Sequence, residues 1–179
     1  MRYWLDTEFI EAPGQPLDLL SIGIVAEDAR EFYAESADVN LSRANEWVKE
    51  NVLPQLWSLQ PDKRAPNVWS RDGGAGGLLS RKSIAYAVRA FCDPEQHGKP
   101  EFWGYYADYD WVVLCQLFGT MVSLPKGWPM YCRDIKQWAA QLGNPALPEL
   151  GKGEHHALAD ARWNKRAWEF LALCSGVQG

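Results

Sequence analysis

The chain has 179 residues, of which 47% are hydrophobic and 23% charged, and a net charge of −5. That is enough apolar chain for one domain around a buried core, and it excludes disordered and collagen-like classes. No apolar run approaches the roughly 18 residues of a membrane span. Asp6 interrupts the apolar start too early for a secretory leader. A cytoplasmic protein is therefore expected.

The acidic balance argues against a broad basic face gripping many duplex phosphates. It leaves room for a short nucleic acid held through metal ions. Cys92, Cys115, Cys132 and Cys174 form no Cys-x-x-Cys pair. They are expected to be reduced thiols, three of them in the core, rather than disulfides or a zinc site. Ten tryptophans is a high count. Most are expected in the core, with one or two available as stacking surfaces.

In chain order, Arg2–Leu5 predicts a short strand ending at Asp6-Thr7-Glu8. Leu19–Ala26 predicts a second strand, buried on both faces, and Arg30–Ala34 a third. Turns at 11–16 and at Glu27-Asp28 join them into an antiparallel meander. Ser42 predicts the cap of a helix over Arg43–Val52 that Pro54 limits. Pro61–Gly77 reads as a loop, and its glycine cluster at 73–77 lacks the Lys-Ser/Thr of a phosphate cradle.

Ser80 predicts the cap of a further helix, with Ile84, Val88 and Phe91 on one face. Glu101–Tyr105 predicts a strand, Asp110–Phe118 a helix closed by Gly119, and Asp134–Leu142 another helix. The last helix is predicted from Ala157 to Cys174. This order implies an α/β layered fold with a mixed sheet.

Four acids and a histidine carry the chemistry. Asp6 and Glu8 are two apart on a strand, so their side chains share one face. Asp110 opens a helix, Asp160 lies in the last helix, and His155 precedes Asp160 by five residues. Hard cations such as Mg²⁺ and Mn²⁺ favour carboxylate oxygens. Two such ions clamp the attacking and leaving oxygens of an in-line phosphoryl displacement. Without cations, gathered acids repel one another and their pKa values rise. An imidazole takes a proton readily near neutrality. Taken singly, each residue has an ordinary explanation: solvated strand-end acids, a helix-start acid favourable to the dipole, a surface acid on a helix.

Together they resemble a known family. Tyr3-Trp4-Leu5-Asp6-Thr7-Glu8-Phe9 is similar to the first motif of the DEDD superfamily of 3′–5′ exonucleases. Tyr109-Asp110-Trp111-Val112-Val113-Leu114 resembles the second motif, aromatic-Asp-x-x-apolar-Leu. His155-His156-Ala157-Leu158-Ala159-Asp160-Ala161 resembles the third in the histidine-bearing (DEDDh) branch, His-x-Ala-x-x-Asp-Ala. The resemblance spans nearly the whole chain. The strings Asp-Thr-Glu-Phe-Ile-Glu, Leu19–Ala26 and Leu114–Gly119 narrow it to the small bacterial RNase AS-type group of polyadenylate-directed exoribonucleases.

The resemblance implies a single RNase H-like (DnaQ-like) exonuclease domain, a mixed sheet flanked by helices. It implies a metal-dependent 3′–5′ exoribonuclease on single-stranded RNA, releasing nucleoside 5′-monophosphates, with adenylate preference, AMP as product and a homodimer. Asp6 bridges two metals, Glu8 and Asp160 complete the one nearer the attacking water, Asp110 helps hold the second, and His155 is the general base. Thr7 and Phe9 line the terminal-nucleotide pocket, where a backbone N–H meets a ribose hydroxyl. Trp111 is placed either as a stacking surface or in the core.

Asp108 competes with Asp110, and His156 with His155; the motif register favours Asp110 and His155. Tyr106 stands where the family has an asparagine. His97 reads as a surface loop residue. Arg133, Lys136, Lys152, Arg162, Lys165 and Arg166 are either phosphate contacts or a solvated face, and the second reading suits most of them. Rival functions are a short-oligoribonucleotide exonuclease, a DNA proofreading or repair exonuclease, a small-nucleotide phosphoesterase, and a non-catalytic nucleic-acid-binding module of the same fold.

Overall fold

A computed structural model describes residues 1–60, 77–151 and 154–176 of the chain. The first three strands, β1 (Arg2–Ile10), β2 (Asp18–Ala26) and β3 (Glu31–Ser36), form the expected antiparallel meander. β1 is longer than its apolar run predicts. It pairs with β2 from Tyr3 to Ile10, so the ladder carries the backbone past the acids. Asp6 and Glu8 thus lie within the strand, with a register shift between Glu8 and Phe9. The two acids keep their common face because the side-chain period of a strand is two.

The helix expected from Ser42 starts later. Asn40 accepts the Ser42 N–H and folds residues 41–43 into a single 3₁₀ turn. Asn45 then caps α1 (Glu46–Asn51) by accepting the Val48 N–H at 2.9 Å. The predicted glycine cluster falls in 61–76, outside the described residues apart from Gly77. β4 (Leu78–Leu79) pairs parallel with β3. Ser80 caps α2 (Arg81–Phe91) as expected. A short helix α3 (Pro94–His97), not predicted, places His97 at its end.

β5 (Glu101–Gly104) pairs parallel with β1 and leads into α4 (Asp108–Leu117). β6 (Arg133–Asp134) pairs parallel with β5, and Asp134 caps α5 (Ile135–Gln141). The last helix, α6 (Ala157–Ser175), stops at Gly176, whose φ of +69° is left-handed. The sheet order is β4-β3-β2-β1-β5-β6, parallel and antiparallel pairs mixed. This is the expected α/β fold.

Two apolar layers sandwich the sheet. On one face Tyr3, Leu5, Ile22 and Ile24 pack with α2 and α4 through Ile84, Val88, Phe91 and Leu114. On the other, Trp4 and Trp103 pack with α5 and α6 through Ile135, Trp168 and Leu171. β2 is buried along its whole length, as its unbroken apolar run predicts. Six tryptophans (4, 103, 111, 128, 163 and 168) are core, whereas Trp47 is 53% exposed. Cys92 and Cys115 are buried, Cys132 is half-buried and Cys174 exposed, all as free thiols. The core therefore takes two cysteines fully, not three, because Cys132 sits beside the short edge strand β6. Among the described residues no helix is long and apolar enough to cross a membrane.

The start of α6 sits directly on β2. A Cβ at Gly23 would lie 2.4 Å from the backbone of Ala157 and Leu158. Gly23 pairs with Asp6 in the ladder, so this approach brings α6 over the β1 acids. Gly23→Ala is expected to push α6 off the sheet. The loss should be about 2 kcal/mol or more, or roughly 4–8 °C in Tm for a chain of this size. A calorimetric Tm equal to wild type would contradict the close packing.

Candidate active site

Asp6 and Glu8 project from β1 toward α6, and Asp160 enters from the first turn of that helix. One carboxyl oxygen from each lies within 4.8 Å of the others. Asn164, one turn beyond Asp160, donates from Nδ2 to the Leu5 carbonyl at 2.8 Å and ties α6 to β1 between the two sets of acids. The tie was legible in principle: Asn164 shares a helix face with Asp160 at i+4.

Asp110 arrives from the opposite side. Gly104 permits a tight turn into α4, since a Cβ there would lie 2.8 Å from the Ala107 methyl. Asp134 holds the same turn by accepting the Ala107 N–H at 2.8 Å. Asp110 then accepts both the Thr7 N–H (2.9 Å) and the Thr7 hydroxyl (2.6 Å) on Oδ1. Asp110 is buried and Asp108 exposed, which settles which acid faces inward. Thr7 is buried and its donors are engaged with Asp110. It positions a carboxylate, so the Thr7 N–H is not the backbone donor in this pocket that would meet a ribose hydroxyl.

Crowding and burial act on all four carboxyls. Burial, then the charges of Asp110, Glu8 and Asp160, raise Asp6 well above the usual carboxylate range. Burial, then Asp160 and Asp110, push Glu8 up to about 8. Burial raises Asp110 to about 6 against the opposing donors of Thr7. Burial also raises Asp160 to about 6, offset in part by the His155 N–H and its nearby charge. Among the described residues this is an all-oxygen donor set. It fits a hard divalent ion such as Mg²⁺ or Mn²⁺, and Asp6, Glu8 and Asp160 are the residues placed to hold it.

The two histidines have different surroundings. His155 donates its backbone N–H to Asp160 Oδ2 at 2.9 Å and sets its ring edge-on to Trp47, at 4.9 Å between centroids. His156 turns into the protein against Tyr33 and Trp57, its ring 4.7 Å from each. Trp47 gave no signal in sequence beyond exposure on an amphipathic turn.

The aromatic candidates divide. Trp111 is 8% exposed and packs on Phe102 at 5.4 Å, so it takes the core reading and does not serve as a stacking face. Phe9 is half-buried and meets Tyr109 edge-on at 6.0 Å, while Tyr109 itself is half exposed beside Asp110. Tyr106, in the asparagine position of the family pattern, has φ +55°, a region that asparagine tolerates better than tyrosine. Among the basic candidates, Arg162 is paired to Glu31 at 2.6 Å, Arg133 to Glu101 at 3.4 Å, and Lys165 lies over the Trp4 ring. Lys136 reaches Asn144 at 3.5 Å. Arg166 is exposed. Lys152 lies outside the described residues.

Residues 1–172 match the family described as the 3'-5' exoribonuclease Rv2179c-like domain. The chain belongs to this family. Two relatives from Mycobacterium tuberculosis accompany the match. They are "3'-5' exoribonuclease Rv2179c" of strain ATCC 25618 / H37Rv and "3'-5' exoribonuclease MT2234.1" of strain CDC 1551 / Oshkosh. Each is 37% identical over 171 residues, covering 96% of this chain and 93% of the relative. The family match thus takes in all four gathered acids and both histidines.

The raised carboxyls have a consequence for stability. A folded-state pKa above the unfolded one contributes stability at low pH that is lost as pH rises through the folded value. The metal-free protein is therefore expected to lose stability from about pH 4 to about 8, the window set by Asp110, Asp160 and Glu8. At pH 8, Glu8→Gln should raise the metal-free Tm by about 3 °C or more, equivalent to roughly 1 kcal/mol. The gain should shrink at pH 5. Thermal melts in EDTA check both, and a lower Tm for Glu8→Gln at pH 8 would contradict the crowding.

Proposed function

We propose that this chain is a DEDDh-type 3′–5′ exoribonuclease that shortens single-stranded RNA with two divalent cations, Mg²⁺ or Mn²⁺. The observation that carries the reading is the convergence of Asp6, Glu8 and Asp160 within 4.8 Å, with His155 bonded to Asp160. Membership of a family described as 3'-5' exoribonucleases gives the substrate and direction. Asp6, Glu8 and Asp160 would hold one ion, and Asp6 with Asp110 would hold the second. When bound, the ions stabilise negative charge on the attacking and leaving oxygens of a phosphodiester and make water more acidic.

The remaining work falls to the chain's own groups. His155 takes the proton of the attacking water, and its backbone bond to Asp160 keeps base and carboxylate in register. Thr7 locks Asp110 in one rotamer by donating twice to one oxygen. Trp47 and the Phe9–Tyr109 pair offer aromatic faces at two sides of the acids for unstacked bases. The product is a nucleoside 5′-monophosphate. Resemblance to the RNase AS-type group supports an adenylate-rich substrate, AMP release and a cytoplasmic homodimer.

Incubation with 5′-labelled A-, U- and C-oligoribonucleotides and matching DNA, in Mg²⁺, Mn²⁺ or EDTA, tests this reading. A cation-dependent ladder shortening from the 3′ end is expected, fastest on the A-oligomer. Cleavage of DNA in preference, or of a mononucleotide ester but no oligomer, would replace the reading with a DNA exonuclease or a phosphoesterase. No cleavage of any substrate would point to a binding module. Asp6→Asn and Asp160→Asn should each abolish turnover. His155→Ala should lower kcat by about 10²-fold or more while cation binding by calorimetry stays near wild type. A larger loss in His156→Ala than in His155→Ala would overturn the base assignment.

A further inference from the structure

Glu35, in β3, is 2% exposed and has no part in the chemistry above. Its carboxyl accepts from the Tyr33 hydroxyl at 2.7 Å and the Trp57 N–H at 2.6 Å on Oε1, and from the Ser58 N–H at 2.9 Å on Oε2. A buried carboxyl is tolerable only with its oxygens satisfied, and here both are. Two of the donors are consecutive backbone N–H groups, so Glu35 fastens the turn at 57–59 to the sheet. That turn sets the Trp57 ring 4.4 Å from Tyr33 and 4.7 Å from His156. Tyr33 lies nearly parallel to His156, at 16° and 4.7 Å, so the three rings pack together as a triangle.

The rings grip the chain beside a sharp reversal of its backbone. His155 has φ +66°, a left-handed conformation uncommon for residues with a Cβ. It donates its N–H to Asp160 from that conformation, while the His156 carbonyl accepts the Asp160 N–H at 3.0 Å. Holding the His156 ring therefore holds the turn that sets His155, while Asp160 is fixed within α6 itself.

We propose that Trp57, fastened by Glu35, is a positioning residue that packs on both His156 and Tyr33 as a three-ring clamp and so keeps His155 oriented for proton abstraction. The inference rests on the reading of His155 as general base. It requires no contact between Trp57 and substrate. Its loss should therefore appear in turnover and not in substrate binding, and only while His155 is present.

The test measures kcat and KM on a labelled A-oligoribonucleotide in Mg²⁺. The proteins are wild type, Trp57→Ala, Trp57→Phe, Glu35→Gln, His155→Ala and the Trp57→Ala/His155→Ala pair. Trp57→Ala is expected to lower kcat about tenfold or more with KM within about twofold. Trp57→Phe, which keeps a ring in the slot, should recover most of the loss. Added to His155→Ala, Trp57→Ala should cost less than about twofold, because the group it orients is already gone. An unchanged kcat in Trp57→Ala, a loss carried by KM, or a full loss on the His155→Ala background overturns the proposal. If Trp57→Ala fails to fold by circular dichroism, Glu35→Gln decides. It turns an amide donor toward a backbone N–H, and an unchanged kcat there overturns the clamp. An undiminished kcat in His155→Ala overturns the general-base reading itself and the clamp with it.

Discussion

Four carboxyl groups in one small, poorly hydrated space is the constraint around which this molecule is organised. Each of them would be more stable in water, and each is made harder to ionise by burial and by its neighbours. The scaffold must hold them together against that repulsion. It does so by pressing the backbone of α6 onto β2 at Gly23, bonding Asn164 to the Leu5 carbonyl, and pinning Asp110 with both donors of Thr7. None of these contacts is itself chemical. They keep oxygen atoms close that would otherwise separate, and this is the preorganisation that a divalent ion needs.

The same economy separates two adjacent histidines. His155 and His156 are equivalent in composition and almost so in position, yet one faces Asp160 and Trp47 and the other enters an aromatic slot. A left-handed residue between loop and helix makes the divergence possible, because it turns successive side chains in different directions. The proposed base and the residue beside it are thus neighbours in the chain, and the Trp57 ring that packs on His156 is fastened by a buried glutamate of β3.

Where reading of the sequence went astray, longer-range pairing had overridden a local signal. The apolar run of β1 ends at Leu5, but its ladder with β2 continues to Ile10 because β2 offers backbone partners that far. Ser42 is a good cap by type, yet Asn40 bends residues 41–43 into their own turn and Asn45 takes over the helix start. β4 and β6, two residues each, carry no period long enough to read; they exist because a neighbouring strand edge is there to pair with. Thr7 looked like a substrate contact because it sits between two acids, and only the approach of α4 shows that Asp110 already uses its donors.

By itself the sequence determined the meander, the main helices and the identity of the gathered acids, because these follow from local periodicity and from residue types at fixed spacing. It placed Asp6 and Glu8 on one face and Asp160 in the last helix without any knowledge of the fold. The motif register already favoured Asp110 over Asp108, but tertiary structure alone decided that Thr7 pins it, that Trp111 is core, and that Trp57, Tyr33 and Glu35 stand behind His156. Those outcomes depend on which surfaces meet across the sheet. Thr7 and Asp110, 103 positions apart, and Tyr33 and His156, 123 apart, are joined by packing that no local pattern encodes.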